Sequence, residues 1–427
     1  MNFVHLPHEL QESIVQDLAE STLASLCLVS KSISSLVLPL LYRKIWFRVV
    51  KWKSIEDWVI EAGVNGLALG DAHSICIKIA SSLNAAVKLE QEKKRLQTAF
   101  SNSLEHHRDL QLLITELKVE ISREWEGEEQ ARELVKLLTS IRNLEKLSIW
   151  TMEPKGIGAE STKSIFHHVP SFITSLDLSS FPVPASPLLK LLLRLPLLES
   201  LSLASDGGAG TFVFSPADPS PHLPQLKQVS LLSLFCSEPL LSRILSNNRS
   251  LSRLAIDFPA LKAVKYQDLS SLLHLTIKGV MNTKYDCSRD DFFARDLISI
   301  LRNCQSLESF EFVTEDSKYL KVATRQVTKP QILRHLPLTV RRIHLASAIF
   351  GAESILEFME SRPQSNLRLV ELSRFGPGGC TFDPMSSVSE QIWEEIGQDG
   401  FGLDGEARIE ELGKKSNISV RWIYEKD

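Results

Sequence analysis

The strongest constraint on the fold is a short apolar pattern that returns along most of the chain. It reads apolar, two variable positions, apolar, one variable position, apolar. The copies are Ile114-Leu117-Val119, Leu144-Leu147-Ile149, Ile173-Leu176-Leu178, Leu198-Leu201-Leu203, Leu226-Val229-Leu231, Leu251-Leu254-Ile256, Leu272-Leu275-Ile277, Leu307-Phe310-Phe312, Val340-Ile343-Leu345 and Leu367-Val370-Leu372. Their starts lie about 28 residues apart on average. The last two apolar positions of each copy are two apart, the period of a strand with one buried face. Helix-like segments lie between copies, at 128–141, 186–195, 239–246, 290–303 and 353–361. One strand and one helix cannot bury their apolar faces alone, so such units must stack on one another. The predicted class is α/β, a solenoid with a parallel sheet on its concave side and helices on its convex side. A weaker copy stands at Ile75-Ile77-Ile79, and Val420-Trp422 reads as a terminal strand.

This pattern resembles the leucine-rich repeat. The resemblance covers 48–374, with a C-terminal capping region at 375–427 that holds Trp393, Phe401 and Trp422. One feature departs from the family. The Asn or Cys that follows the strand is replaced by residues such as Met152, Phe181, Asp206, Leu234, Pro259 and Phe375. The usual ladder of side-chain bonds to the turn is therefore expected to be missing, with irregular turns as the result. A charged, helix-forming segment (82–110) and a Gly/Pro/Ser/Asp-rich loop (205–224, with Phe212 and Phe214) interrupt the array.

Residues 1–47 read differently. Leu6-Pro7 opens a helix carrying Leu10, Ile14 and Leu18, since proline suits a first helical turn. Ser21 or Thr22 starts a second helix with Leu23, Leu26 and Val29, and Ser30 a third with Ile33, Leu36 and Val37. A unit this short buries a poor core and leaves an apolar face for a neighbour or partner. A helical cap on the repeat array and a partner-docking module fit the spacing equally well. The order Leu6-Pro7, Glu9-Leu10, Ile14, Leu26-Cys27-Leu28-Val29-Ser30-Lys31 and Pro39-Leu40-Leu41-Tyr42 resembles the F-box, in a form similar to that of fungal proteins. His8-Glu9 with Gln11 stands where family members often have a more apolar stretch. The resemblance implies docking to the Skp-type adaptor of Skp–cullin–F-box ubiquitin ligases, and through it to the cullin. Carried over by position, Leu6, Pro7, Leu10, Ile14, Leu26, Val29 and Leu41 form or support that surface.

Composition excludes other classes. A hydrophobic fraction of 43% with 23% charged residues describes a core-forming chain. A net charge of −4 gives no general pull toward nucleic acid or an anionic membrane. The six cysteines form no C-x-x-C, so neither a zinc site nor a redox pair is signalled, and reduced thiols point to the cytoplasm or nucleus. The most apolar stretch, 186–203, is broken by Lys190, Arg194 and Glu199 and cannot span a bilayer. Gly207-Gly208-Ala209-Gly210 lacks the spacing and the Lys-Ser/Thr end of a P-loop. His106-His107 and His167-His168 are adjacent pairs and do not converge on one metal. No cofactor, metal or catalytic constellation is expected.

Recognition is then expected on the concave face, at strand positions that alternate with the buried ones. The candidates are Trp150, Arg253, Asp257, His274, Lys278, Arg342 and His344, with Glu116, Lys118, Lys146, Ser148, Asp177, Glu311 and Glu371 on the same face. The mildly basic run would suit an acidic or phosphorylated segment of a target protein. The combined resemblance implies a non-catalytic substrate receptor that works by proximity. A repeat scaffold that binds proteins without ubiquitylation would have the same sequence features.

Overall fold

The computed structural model describes residues 108–121, 127–151, 159–179, 185–204, 220–232, 238–245, 248, 250–257, 260–264, 267–279, 291–314, 331–346, 352–362, 366–374 and 403–424, with 44–47 and separate positions between 14 and 37. The chain divides into two compact units, Met1–Ile173 and Thr174–Asp427.

In the first unit, positions 14–15, 22, 25–26, 31 and 33–37 are helical. Val15, Leu36 and Val37 are buried together, and Leu18, Leu26 and Ile33 pack against them. Strand β1 (Lys44–Phe47) pairs in parallel with β2 (Glu116–Ile121), and β2 with β3 (Lys146–Thr151). The sheet therefore starts inside the segment assigned from sequence to the N-terminal module, which ends at 47 in that reading. Among the described residues this unit also holds helices α1 (Arg108–Leu113), α2 (Gly127–Ser140) and α3 (Ala159–His168), and α2 packs against α3. Helix α1 begins within the 82–110 segment. The remainder of that segment, the Ile75-Ile77-Ile79 copy, Leu6, Pro7, Leu10 and Leu41 lie outside the described residues.

The second unit is a parallel ladder in sequence order: β4 (Ser175–Ser179), β5 (Ser200–Ala204), β6 (Gln228–Leu232), β7 (Arg253–Asp257), β8 (His274–Gly279), β9 (Ser309–Thr314), β10 (Arg342–Ala346), β11 (Leu369–Arg374) and β12 (Ser419–Tyr424). Its helices among the described residues are α4 (Ala185–Leu192), α5 (Glu238–Leu245), α6 (Leu261–Val264), α7 (Asp291–Asn303), α8 (Gln331–Arg334), α9 (Ala352–Glu360) and α10 (Leu403–Ser416). From α5 to α10 each helix packs on the next. Every copy of the apolar pattern supplies its last two residues to a strand, and within the second unit those residues are in register from strand to strand. Leu254, Leu275, Phe310, Ile343, Val370 and Val420 form one such row. Along β7 to β11 that row is buried, because it faces the helices. The first and third strand positions point the other way and leave one face of the sheet open. The region assigned from sequence to an irregular cap contributes a full strand, β12, with Val420 and Trp422 in register with Val370 and Leu372.

Stacking also satisfies the backbone. The carbonyl just before a strand, or at its start, accepts two N–H groups from the next repeat. Thr174 O takes those of Glu199 (2.7 Å) and Ser200 (3.0 Å), and the same pairing recurs at the carbonyls of Glu199, Lys227, Ser252, Leu273, Glu308 and Arg341. Side chains reinforce this corner. Ser252 Oγ donates to Lys227 O (3.1 Å), Ser271 Oγ to Leu251 O (3.1 Å) and Thr339 Oγ1 to Leu307 O (2.7 Å). Arg362 donates to the Leu336 and Pro337 carbonyls, and its guanidinium lies over the Phe358 ring. A polar ladder thus runs along the entry to the strands. The exits, where its absence was expected (Met152, Phe181, Asp206, Leu234, Pro259, Phe375), lie outside the described residues.

The same corner fixes two residues with other chemical potential. Asn248 is buried, donates Nδ2–H to Leu226 O (2.8 Å) and accepts from Ser250 N (2.9 Å) and Ser250 Oγ (3.0 Å). Its amide is spent on structure, so the Asn248-Arg249-Ser250 sequence, of the N-x-Ser type that accepts glycans, is closed to transfer in the folded chain. Cys304 is fully buried at the equivalent turn, and burial pushes its thiol up to about 12. Among the described residues no helix is long and apolar enough to cross a membrane.

Candidate functional site

The open face of the second unit changes character along the sheet. On β5 and β6 the outward positions are Ser200, Ser202, Gln228 and Ser230, short or neutral side chains. From β7 onward charged residues join them. The first-position row is Arg253, His274, Ser309 and Arg342, adjacent strand by strand in register. The third-position row is Ala255, Thr276, Glu311, His344, Glu371 and Arg421.

The third-position row is largely self-satisfied. Thr276 Oγ1 donates to Glu311 Oε2 (2.9 Å), and His344 Nδ1 lies 3.1 Å from Glu311 Oε1. The hydrogen bond from His344, helped by that from Thr276, holds the Glu311 carboxyl below its ordinary range against the opposing effect of burial. Arg342 reaches across from the first-position row and donates Nε–H to Glu371 Oε2 (2.7 Å), while Arg421 Nη1 lies 3.9 Å from Glu371 Oε1. Glu371 is buried between them, where an unpaired carboxylate would be costly. These groups set the spacing of the open face and are already committed to one another.

The first-position row differs. The side chains of Arg253, His274 and Ser309 hold no hydrogen bond or ion pair among the described residues. Partial burial, then the charges of Arg253 and Arg342, hold His274 below the ordinary histidine range, with Glu308 opposing. His274 therefore binds its proton less readily than an ordinary histidine, under the charges of two guanidinium groups.

The remaining residues singled out from sequence distribute as follows. Trp150 is 39% exposed at the end of β3 in the first unit. Lys278 lies half-buried at the end of β8 and contributes to lowering the Glu311 pKa. Asp257 corrects the sequence reading: it has the outward parity but is only 2% exposed, so it cannot present its carboxylate to a target. Alternation fixes the direction of a strand side chain, not its access to solvent, and at a strand end the two part company. Arg421 is the residue that sequence reasoning missed. Its signal was the parity of β12, readable once Val420 and Trp422, both half-buried and in register with Val370 and Leu372, are taken as the inward pair.

In the N-terminal segment, Ile14 is 49% exposed and Val29 64% exposed, whereas Leu26 packs into the cluster with Val15 and Leu36. Of the docking residues expected there and described, two are outward and one supports them from within. No group of three or more His, Cys, Asp or Glu that could hold a metal occurs among the described residues.

A strand in register with the same strand of the next repeat, a buried apolar pair, and a helical return define a leucine-rich-repeat solenoid. No family model matches the sequence, and no curated protein matches it. Among solved structures, the chain is similar to LegL7, a leucine-rich-repeat-containing protein of Legionella pneumophila (15% identity, 72% of this chain and 91% of that one, TM-score 0.38). It is also similar to a chain of the Rad7 and Elc1 complex in yeast (11% identity, 77% of this chain and 100% of that one, TM-score 0.38).

Proposed function

We propose that the protein is a non-catalytic receptor: residues 1–47 dock a Skp-type adaptor of a ubiquitin ligase, and the open face of the repeats holds a target protein. The observation that carries the reading is the division of labour in the N-terminal segment. Six apolar residues there (Val15, Leu18, Leu26, Ile33, Leu36 and Val37) gather into one cluster, while Ile14 and Val29 stay outside it. Exposed branched apolar side chains on so small a unit are what a partner would cover. The F-box resemblance of the same segment names the partner class. A repeat scaffold with one open face suits the second half of the role, since target capture needs surface and not a reactive centre.

The test is co-expression with a fungal Skp-type adaptor and size-exclusion chromatography, wild type beside an Ile14→Asp/Val29→Asp variant. Both positions are exposed, so the variant keeps its core. Co-elution of the wild type, lost in the variant, is the expected result. A folded wild type that elutes without the adaptor would make the segment a cap on the sheet and overturn the receptor reading.

A further inference from the structure

The corner that ties the repeats together ends on an open rung. Its last filled rung is Arg368 O, which accepts the Ser419 N–H (2.9 Å). Ser419 pairs with Leu369, so Ile418 holds the equivalent place before β12. β12 stands at the end of the strand order, and no strand follows it among the described residues. The Ile418 carbonyl shares a peptide plane with the Ser419 N–H and so faces away from β11. One residue on, the alternation of a parallel ladder turns the N–H and C=O of Val420 to the same outer side. An edge of this kind is a template for another strand. Val420 is also half-buried, whereas Leu254, Leu275, Phe310, Ile343 and Val370 of its row are at most 1% exposed.

The helix of the same repeat is polar on its outer side. Glu410, Glu411, Lys414 and Lys415 of α10 are all exposed. Gly413 stands level with Val420, since a Cβ added there would lie 2.7 Å from Val420 Cγ2. The acidic pair therefore lies on one side of that level and the basic pair on the other. Lys415 Nζ reaches Glu411 Oε1 of its own helix (2.7 Å), yet their side chains stay 69% and 65% exposed. Glu410 Oε1 accepts the Trp422 indole N–H (2.9 Å).

We infer that β12 is the interface of a two-fold dimer, paired antiparallel about Val420 with β12 of a second copy. An axis normal to the sheet at Val420 lets the N–H and C=O of that residue bond their counterparts in the other copy. The same axis passes by Gly413. The two α10 helices then run antiparallel, with the acidic pair of each copy toward the basic pair of the other. Charge complementarity thus selects a second copy, and a patch that pairs with itself closes at two. A peptide adding one strand would satisfy the backbone and leave the charges of α10 unanswered. The inference stands apart from the receptor reading and uses none of its docking residues.

The experiment is light scattering behind size-exclusion chromatography on the full-length protein across a concentration series, with hydrogen exchange on the same samples. Wild type is expected at twice the mass of one chain. Lys414→Glu/Lys415→Glu makes the outer side of α10 acidic throughout and is expected at the mass of one chain. The converse variant, Glu410→Lys/Glu411→Lys, is expected to be a monomer alone. Mixing the two variants is expected to restore a dimer with one copy of each. Peptides covering β12 are expected to exchange more slowly in wild type than in either variant alone. Wild type at single-chain mass throughout the series would overturn the proposal. So would a dimer that persists in both variants, or equal exchange over β12 in dimer and monomer. Assemblies that grow past two copies with concentration would overturn it as well and assign the edge to head-to-tail stacking.

Discussion

At the scale of single residues, three positions carry most of the testable chemistry. His274 has a lowered pKa in the folded chain, so the unfolded chain binds its proton more readily. Stability contributed by the neutral ring is present above the ordinary histidine pKa and declines as pH falls through it. The melting temperature is expected to drop between pH 7.5 and 5.5, and to drop less in His274→Gln; equal slopes would contradict this. Glu311, also lowered, works in a more acidic window: its contribution is lost only as pH falls below the ordinary carboxylate range. Cys304, buried with a thiol at about 12, should resist alkylation in the native protein and react only on unfolding. Gly413 lies where an added Cβ would stand 2.7 Å from Val420 Cγ2 and 2.9 Å from Ile418 O. Gly413→Ala should therefore cost about 1–3 kcal/mol in denaturant titration, despite the better helix propensity of alanine. Asn417, the next residue but three, takes a φ of 56° and turns the chain from α10 into β12.

At the scale of elements, the repeats are held by a corner as much as by a core. Asn248 is the clearest example, since its side chain ties its own repeat to the Leu226 carbonyl of the one before. Asn248→Ala leaves buried polar groups unpaired and should lower stability by about 1–3 kcal/mol, measured as a midpoint shift in urea. Phe310 and Phe312, with ring centroids 6.3 Å apart, fill the layer under β9, and Phe310→Ala should cost about 3–5 kcal/mol. The strands were legible in the sequence because burial of two residues at period two is a local signal. The helices at 127–140, 185–192, 238–245, 291–303 and 352–360 were legible for the same reason at helical period. Short returns such as Leu261–Val264 and Gln331–Arg334 were not, because one turn of helix has no period to read. Lys44–Phe47 was missed as a strand because its pairing partner, β2, lies some seventy residues later. Arg421 was missed although Val420-Trp422 reads as a strand, because only its register with Glu371 on β11 places it on the open face beside that carboxylate. The charged pairs were visible only as candidates. Which of them spend their charge on each other, as Arg342 does on Glu371, is a matter of register and reach that spacing does not encode.

At the scale of the whole molecule, the account assigns different work to different regions. In the proposed function the N-terminal segment offers its apolar surface to an adaptor, and the open sheet face offers polar groups to a target. A receptor of that kind would connect two proteins by holding them near one another. The most direct measurement is hydrogen exchange on the full-length protein with and without the adaptor. The account predicts added protection within residues 14–37 and none on β7 to β10, where Arg253, His274, Ser309 and Arg342 reside. Protection of those strands by the adaptor, with the N-terminal segment unchanged, would contradict it.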